Sequence, residues 1–337
     1  MRTLRTESSV DSSVSVVLCT YNGARHIGQQ IVSILEQSRP PDEIILADDG
    51  SSDHTLEIAT QQVTQATLAK RPRVEVLETT HGLGVTGNFS RAIAAASADV
   101  VFLADQDDVW RRDKIQRQLG ALSRQPRAML SVSNAKLLTA AGDGMRADLF
   151  DALQVSSRDI AALGADHPTS VLVRRSVLLG MTFAIRRQVL ESALPIPPLW
   201  PHDYWLSLMA SSLGPISVES DCLVGYRQHD TNVVGLVPHT FVFKLARVLH
   251  SERTSALYRA RFEALLDRLE KTPGASSAAV AAVEGKLRFE ERRSSLHRNR
   301  ARRSAQILAM AVAGSYSRYA SNGPANGVGD ALVAGRT

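Results

Sequence analysis

VVFLADQDDVW, residues 100–110, joins a four-residue apolar run to three carboxylates, Asp105, Asp107 and Asp108, set within four positions. A short, continuous apolar run that stops at a polar turn reads as a strand covered on both faces. Like charges this close repel and raise one another's pKa values. The turn therefore carries an excess of negative charge that calls for a partner. Working outward, similar runs occur upstream at VSVVLC (14–19), EIILA (43–47) and VEVL (74–77), and downstream at AMLSVS (128–133). Helical spacing separates them. Ile27, Ile31, Ile34 and Leu35 form one stripe, Leu56, Ala59 and Val63 a second, and Phe89, Ile93 and Ala96 a third. Ser52 or Asp53 is placed to cap the second helix. This β-α-β-α-β-α-β order predicts a parallel sheet flanked by helices. Ligands of such sheets bind beyond the carboxyl ends of the strands. CTYNG (19–23), ADDGSSD (47–53) and ADQDD (104–108) all follow strands, so all three are expected to line one crevice.

Composition sets wider bounds. With 337 residues, 44% of them hydrophobic, the chain suits two domains, or one large domain with an extension. No apolar run approaches the roughly 20 residues that span a bilayer; the best candidate is ILAMAVAG (307–314). Residues 1–13 read as a polar tail without an apolar leader segment. Cys19 and Cys222 make neither a disulfide framework nor a zinc site, which fits a reducing cytoplasm. Net charge is +5. Lys286, Arg288, Arg292, Arg293, Arg298, Arg300, Arg302 and Arg303 crowd one stretch, opposed there by Glu290 and Glu291. Such a stripe suits a solvated helix face, a nucleic acid or an anionic membrane surface. Residues 240–310 read as mostly helical with a break at TPGASS (272–277), and SNGPANGVGD (321–330) is expected to be poorly ordered.

The carboxylates of residues 105–108 admit several readings: a solvated turn capping a helix near Arg111, a divalent cation site, or acid–base catalysis. The EF-hand pattern is absent. Position at a strand end favours the cation, because Mg²⁺ and Mn²⁺ prefer hard oxygen ligands and Mg²⁺ is usually held by one or two carboxylates plus substrate phosphates. G-x-x-x-x-G-K-[ST] is absent, which removes most support for an ATPase, while the G-x-G-x-x-G spacing occurs once, as GLGVTG (82–87), a pattern of low specificity by itself.

CTYNG, ADDGSSD, GNF, DQDDVW, GMTFAIRR, ALPIPP, HDYW and YRQHDTNVVG occur in that order. The set resembles family 2 glycosyltransferases, and within them the rhamnosyltransferase-type enzymes of bacterial surface polysaccharide assembly. The resemblance covers residues 14–235 and continues weakly at GSYSRYASNG (314–323). It implies an α/β fold of the GT-A type, Rossmann-like, with a mixed, mainly parallel sheet flanked by helices. The implied organisation is a tail at 1–13, a transferase domain at 14–239 and a basic, mainly helical extension at 240–337. It also implies roles. Thr20, Tyr21, Asn22, Asp48, Asp49, Asp105 and Asp107 match positions at the nucleotide. Asp107, Asp108 and His229 match a divalent cation site for Mg²⁺ or Mn²⁺. Asp203 matches the base that takes the acceptor's proton in an inverting transfer. Arg227, His202 and Trp205 are candidates for diphosphate or acceptor contact. HGLGVTGNF and Met181 depart from the family's commoner residues.

The implied donor is dTDP-L-rhamnose or a UDP-sugar, and the implied acceptor a saccharide or lipid-linked saccharide at the cytoplasmic face of a membrane. The basic tail would then bind that membrane peripherally. Apolar residues beside it, Phe241, Phe243, Leu245, Val248 and Leu249 in one group and Ile307, Leu308, Met310 and Val312 in another, would assist. A nucleotide-sugar nucleotidyltransferase is an alternative that lacks its Gly-rich N-terminal signature. A nucleic-acid-binding protein is another, and it leaves DQDDVW and HDYW without a use.

Overall fold

The computed structural model describes residues 12–67, 70–166, 168–228, 251–321, 323 and 325–333, with backbone alone at 251–255, 329 and 332–333. Nine strands form one sheet: β1 (Val14–Thr20), β2 (Glu43–Asp48), β3 (Arg73–Leu77), β4 (Val100–Asp105), β5 (Val109–Trp110), β6 (Leu130–Leu138), β7 (Gly144–Asp148), β8 (Phe183–Arg186) and β9 (Ile216–Arg227). Their order is β3-β2-β1-β4-β8-β6-β9-β5, with β7 on the side of β6. The expected parallel unit is there as β3-β2-β1-β4. It is joined by α1 (Ile27–Leu35), α2 (Thr55–Gln65) and α3 (Gly84–Ala95).

IILA of β2 and VVFL of β4 lack polar breaks because both sheet faces are covered. Val17, Ile45, Val101 and Leu103 enter one core, and Val16, Leu18, Ile44, Leu46 and Phe102 enter the other. Side chains alternate faces along a strand, so a strand buried on both sides must be apolar throughout. The expected stripes also pack inward: Ile27, Ile31, Ile34 and Leu35 are buried, as are Phe89 and Ile93.

Beyond β4 the sheet is not mainly parallel. β8 runs antiparallel to β4 and β6, β7 to β6, and β5 to β9, while β6 and β9 are parallel. The helices of this half are α4 (Lys114–Arg124), the short α5 (Leu149–Ala152), α6 (Ser157–Leu163) and α7 (Thr169–Leu172), then α8 (Arg187–Ala193) and α9 (His202–Leu213).

The C-terminal region contains α10 (Ser251–Glu270), α11 (Ser277–Ser294), α12 (Arg300–Val312), α13 (Ser315–Tyr319) and α14 (Ala325–Val333). The break expected at TPGASS separates α10 from α11. These two helices are a further layer on the sheet's own core: Phe262, Leu265, Leu269, Val283 and Leu287 share one cluster with Val17 and Leu103. Trp200 Nε1 donates to the Arg261 carbonyl at 3.1 Å, and Arg268 donates to the carbonyls of Ser192 and Leu194 at 3.0 Å each. The boundary expected at 239/240, and the apolar residues 241–249, lie outside the described residues.

Two expectations change here. The Gly-rich end is helical as α14, and its Asp330 is buried, accepting from Arg293 at 2.8 Å and from the Tyr316 hydroxyl at 2.8 Å. The basic run is not one exposed stripe either. Lys286 is buried against Glu290 at 2.8 Å and donates to the Tyr319 carbonyl. Arg293 bridges Glu290 and Asp330, and buried Arg303 donates to the carbonyls of Arg298 and Ala331. The remaining five arginines are exposed.

Candidate active site

The ends of β1, β2 and β4 meet as expected. The turn after β2 is organised by Asp48, which is buried. Its Oδ1 accepts from the hydroxyls of Thr20 at 2.7 Å and Ser51 at 2.6 Å, and its Oδ2 from the amides of Gly50 at 3.1 Å and Ser51 at 2.7 Å. Thr20 and Asp48, expected at the nucleotide, are thus bonded to each other and shape the crevice from behind. Asp49 is likewise engaged: its two oxygens accept from the amides of Leu83 at 2.7 Å and Gly84 at 2.9 Å, fastening the start of α3 to β2. Asn22 adopts φ +48°, a left-handed conformation that Asn tolerates better than most residues. Its amide donates to Ser51 Oγ and its Oδ1 accepts from Ser52 N, locking the first turn to the second. Tyr21 is 57% exposed at the rim. The cap expected from Ser52 or Asp53 takes a local form, with Asp53 Oδ1 accepting from Thr55 N at 3.1 Å one residue inside the helix start.

The acidic turn is clamped by a residue that the sequence reading passed over. Gln106 Oε1 accepts from Tyr21 N at 2.8 Å and its Nε2 donates to the Tyr21 carbonyl at 3.0 Å. A Cβ on Gly23 would lie 2.2 Å from Gln106 Oε1, so only glycine leaves room for the clamp. Its position between two aspartates in a strand-end turn was the available signal.

The three carboxylates then diverge. Asp105 and Asp107 are partly exposed, and Asp108 is fully buried. Asp108 Oδ1 accepts from Arg227 N at 3.2 Å, while its Oδ2 has no hydrogen-bond partner among the described residues. Asp108, expected as a metal ligand, therefore faces the interior and ties β9 to the turn. Arg227, expected at the diphosphate, is buried too. Its guanidinium donates to the carbonyl of Asp107 at 3.0 Å, to that of Ala140 at 3.3 Å and to Gln29 Oε1 at 2.9 Å, so it holds the turn's backbone. Beneath them Lys114 is fully buried, with Nζ 4.9 Å from the Trp110 ring centroid, 5.4 Å from that of Phe102 and 2.5 Å from Gln118 Oε1. Burial pulls its pKa down to about 7, against the Asp108 charge, which pushes it up. A cation in a helix's first turn opposes the helix dipole, and that misplacement was the sequence signal for Lys114.

The far wall comes from α9. Asp203 lies in its first turn, partly exposed, where the dipole favours a carboxylate. Its Oδ1 accepts from Tyr204 N at 2.7 Å. Burial pushes Asp105 up to about 7, and the negative charges of Asp107 and Asp203 add to the rise. Asp203 thus reaches the acidic turn although almost 100 positions separate them in sequence. His202 is buried, stacked on Phe89 with centroids 3.9 Å apart, and burial lowers its pKa against the opposing Asp203 charge. A Cβ on Gly180 would sit 2.7 Å from His202 Nε2 and 3.4 Å from the Asp203 Cβ, so this glycine admits the pair. Trp205 is a core residue, fully buried, with Nε1 donating to the Ala193 carbonyl at 2.8 Å. His202 and Trp205, candidates for diphosphate or acceptor contact, are thus both buried. His229 lies outside the described residues.

A divalent cation suits this donor set in its charge. Burial and the charges of Asp107 and Asp203 raise the Asp105 pKa, and Asp108 Oδ2 is, among the described residues, a buried oxygen without a hydrogen-bond partner; a cation relieves such crowding. Among the described residues, no three His, Cys, Asp or Glu side chains form a metal cage. Mg²⁺ is usually held by one or two carboxylates plus substrate phosphates, so a full cage of protein ligands is not required.

The family model described as glycosyl transferase family 2 matches residues 15–191. An uncharacterized glycosyltransferase of Nostoc sp. is 30% identical over 230 residues, 65% of this chain and 66% of that one. The dTDP-rhamnosyl transferase RfbG of Shigella flexneri is 26% identical over 225 residues, 65% of this chain and 73% of that one. The chain spans 66% and 40% of the first two curated relatives it matches, less than two thirds of their length. Among solved structures, S. aureus TarS 1-349 in complex with UDP-GlcNAc aligns with a TM-score of 0.54 at 15% identity, over 95% of this chain and 84% of that one. The mannosyltransferase PcManGT from Pyrobaculum calidifontis, in complex with GDP-Man and Mn²⁺, aligns with a TM-score of 0.50 at 17% identity, over 95% and 86%. The mixed sheet with flanking helices is the GT-A fold of these neighbours, and with more than half of its length inside the family model the chain belongs to glycosyl transferase family 2.

Proposed function

We propose that this chain transfers a sugar from a nucleotide-diphosphate donor to a saccharide or lipid-linked saccharide acceptor, with inversion at the anomeric carbon. What carries the reading is the placement of Asp203 against Gly180 in the far wall, near enough to the Asp105–Asp107 turn for its charge to raise the Asp105 pKa. In this reading the nucleoside lies over the strand ends, with exposed Tyr21 against the base and Asp49 and Asn22 shaping the floor. Asp203 takes the proton of the acceptor hydroxyl as that oxygen attacks the anomeric carbon from the side opposite the diphosphate. General-base help of this kind contributes about 10²–10⁴-fold. Asp107, with Asp105 beside it and His229 as a further candidate, would hold Mg²⁺ or Mn²⁺ together with donor phosphates. When bound, the ion offsets the charge developing on the leaving diphosphate. One base suffices for a single displacement, so no covalent sugar–enzyme intermediate is invoked.

Similarity to a dTDP-rhamnosyl transferase supports L-rhamnose as the sugar. A cytoplasmic, peripheral position at the membrane's inner face is part of the reading: no described helix is long and apolar enough to cross a membrane, and exposed Arg300 and Arg302 share α12 with exposed Leu308 and Val312. Sedimentation with anionic vesicles tests that position; loss of binding at high salt is the expected result.

Thermal shift with dTDP, UDP, GDP and CDP, with and without Mn²⁺, tests the donor site. A ligand at 100 times its Kd stabilises by about 2.7 kcal/mol. One nucleotide is expected to shift the wild type in a Mn²⁺-dependent way and to lose that dependence in Asp107→Ala. Absence of any shift at saturation would overturn the donor site. Proton NMR of the product linkage tests inversion.

A further inference from the structure

Away from the crevice, a cleft of about 680 Å³ opens between the segment around α6 and α7 and the C-terminal helices α11 and α13. Arg158, Arg174 and Arg318 line it, with Ser156 and Ser317, and among the described residues Asp159 is the one carboxylate in the lining. That carboxylate is already committed. Asp159 Oδ1 pairs with Arg174 at 2.5 Å, and Oδ2 accepts from Ser156 N at 3.2 Å and Ser156 Oγ at 2.8 Å. Arg175 also lies 3.6 Å from it. Burial pushes the Asp159 pKa up, but these hydrogen bonds and the Arg174 charge outweigh it and hold the group below the usual range. Its charge is therefore spent inside the wall.

Arg158 and Arg318 are exposed, and among the described residues neither is paired with a carboxylate. Arg174 adds a buried Nε with no hydrogen-bond partner among the described residues. The two exposed arginines, 160 positions apart in sequence, reach one cleft only because the C-terminal helices dock on the sheet domain. With Asp159 and Arg174 offsetting each other, the exposed Arg158 and Arg318 leave the cleft positive. Arginine's planar fork binds phosphate and carboxylate oxygens in pairs.

The wall of the cleft is tied to the far wall of the crevice. Its wall includes Val171 and Val173, and between them the Leu172 carbonyl accepts from the Tyr204 hydroxyl at 2.7 Å, the residue after Asp203. From Arg174 the chain runs six residues to Gly180, which abuts Asp203, a reach of at most about 20 Å. An acceptor several sugar units long spans that distance.

We infer that this cleft is an anion subsite for the acceptor, holding a phosphate or carboxylate group of an extended glycan substrate while its reacting hydroxyl lies at Asp203. The inference rests on the transferase reading for its purpose, but binding can be measured without turnover. Farnesyl diphosphate, a glucuronate-containing tetrasaccharide and a neutral tetrasaccharide of equal length are titrated by calorimetry, with the donor site saturated by the nucleotide and Mn²⁺ that shift the wild type, or by UDP and Mn²⁺ if none does. The wild type is compared with an Arg158→Gln, Arg318→Gln double variant, whose exposed side chains leave the fold intact. At least one anionic probe is expected to bind the wild type and to weaken tenfold or more in the double variant, while the neutral probe shows no such difference. Binding of the diphosphate alone names a lipid-diphosphate headgroup as the source, binding of the glucuronate probe alone names an acidic sugar, and binding of both names the shared anion chemistry. Absence of binding by both anions, or equal affinity in wild type and variant, overturns the subsite. The nucleotide shift is recorded on the same samples. If it persists while the anions fail, the cleft alone is wrong; if it is absent while the anions bind through Arg158 and Arg318, the transferase reading fails and the anion site stands.

Discussion

Two stretches of this chain crowd like charges, and the fold treats them in opposite ways. The basic run at 286–303 is partly neutralised: Lys286 and Arg293 share Glu290, Arg293 also grips Asp330, and Arg303 is bonded to two carbonyls. The acidic turn at the end of β4 keeps its charges crowded. Burial and the Asp107 and Asp203 charges hold Asp105 up at about 7. Pairing inside the fold marks a structural use of charge. Crowding left standing at the mouth of a crevice marks a use that a ligand completes.

The largest effect expected from breaking this contrast is at Asp203. Asp203→Asn removes the base while keeping shape, and the transfer rate is expected to fall about 10²–10⁴-fold. The nucleotide-dependent thermal shift should persist, which separates lost chemistry from lost binding. On the structural side, Glu290→Gln leaves Lys286 buried without its countercharge. Breaking one side of a buried pair costs roughly 3–5 kcal/mol, readable by urea unfolding. A loss near zero would mean that the basic run does not depend on that pair.

A smaller effect sharpens the comparison through acid. Burial pushes Glu43 up, but hydrogen bonds from Ser15, Arg73 and Ser97 prevail and hold its pKa at about 2. Asp42 is likewise held at about 2, where bonds from Arg39, Lys70 and Val14 outweigh burial. Both lie below their ordinary values of 4.5 and 3.8. Their stabilisation is therefore fully present above about pH 4.5 and is lost as pH falls toward 2. Glu43→Gln should cost roughly 1–3 kcal/mol at neutral pH and flatten the stability profile below pH 4.5, measured as the urea midpoint against pH. The smallest effect belongs to the exposed arginines. Arg300→Gln with Arg302→Gln should change stability by at most about 0.5 kcal/mol, since both lie exposed in the first turn of α12.

The parallel unit was legible because each of its strands and helices carries its own periodicity. VVFL, VSVVLC and EIILA announce strands without reference to anything distant. The meeting of CTYNG, ADDGSSD and ADQDD followed from the rule that such strand ends share an edge. Strands β5, β7, β8 and β9 were not legible, because they are short or irregular and are defined by partners far along the chain. Individual roles were harder still. Asp48, Asp108, Arg227, His202 and Trp205 read as ligand contacts, and each proves to be buried. Burial is a property of the packed whole, and a motif does not carry it.

The sequence by itself determined the α/β class, the edge of the sheet at which the site lies, and the negative charge placed there, since these depend on local pattern and on residue type. Only the tertiary structure decided which charges are neutralised and which stand open. Asp203 reaches the turn of β4, Asp330 reaches Arg293, and Arg318 reaches the cleft of Arg158, all across long stretches of chain. Electrostatic energy depends on separation and burial in space, and those distances exist only after the helices have packed on the sheet.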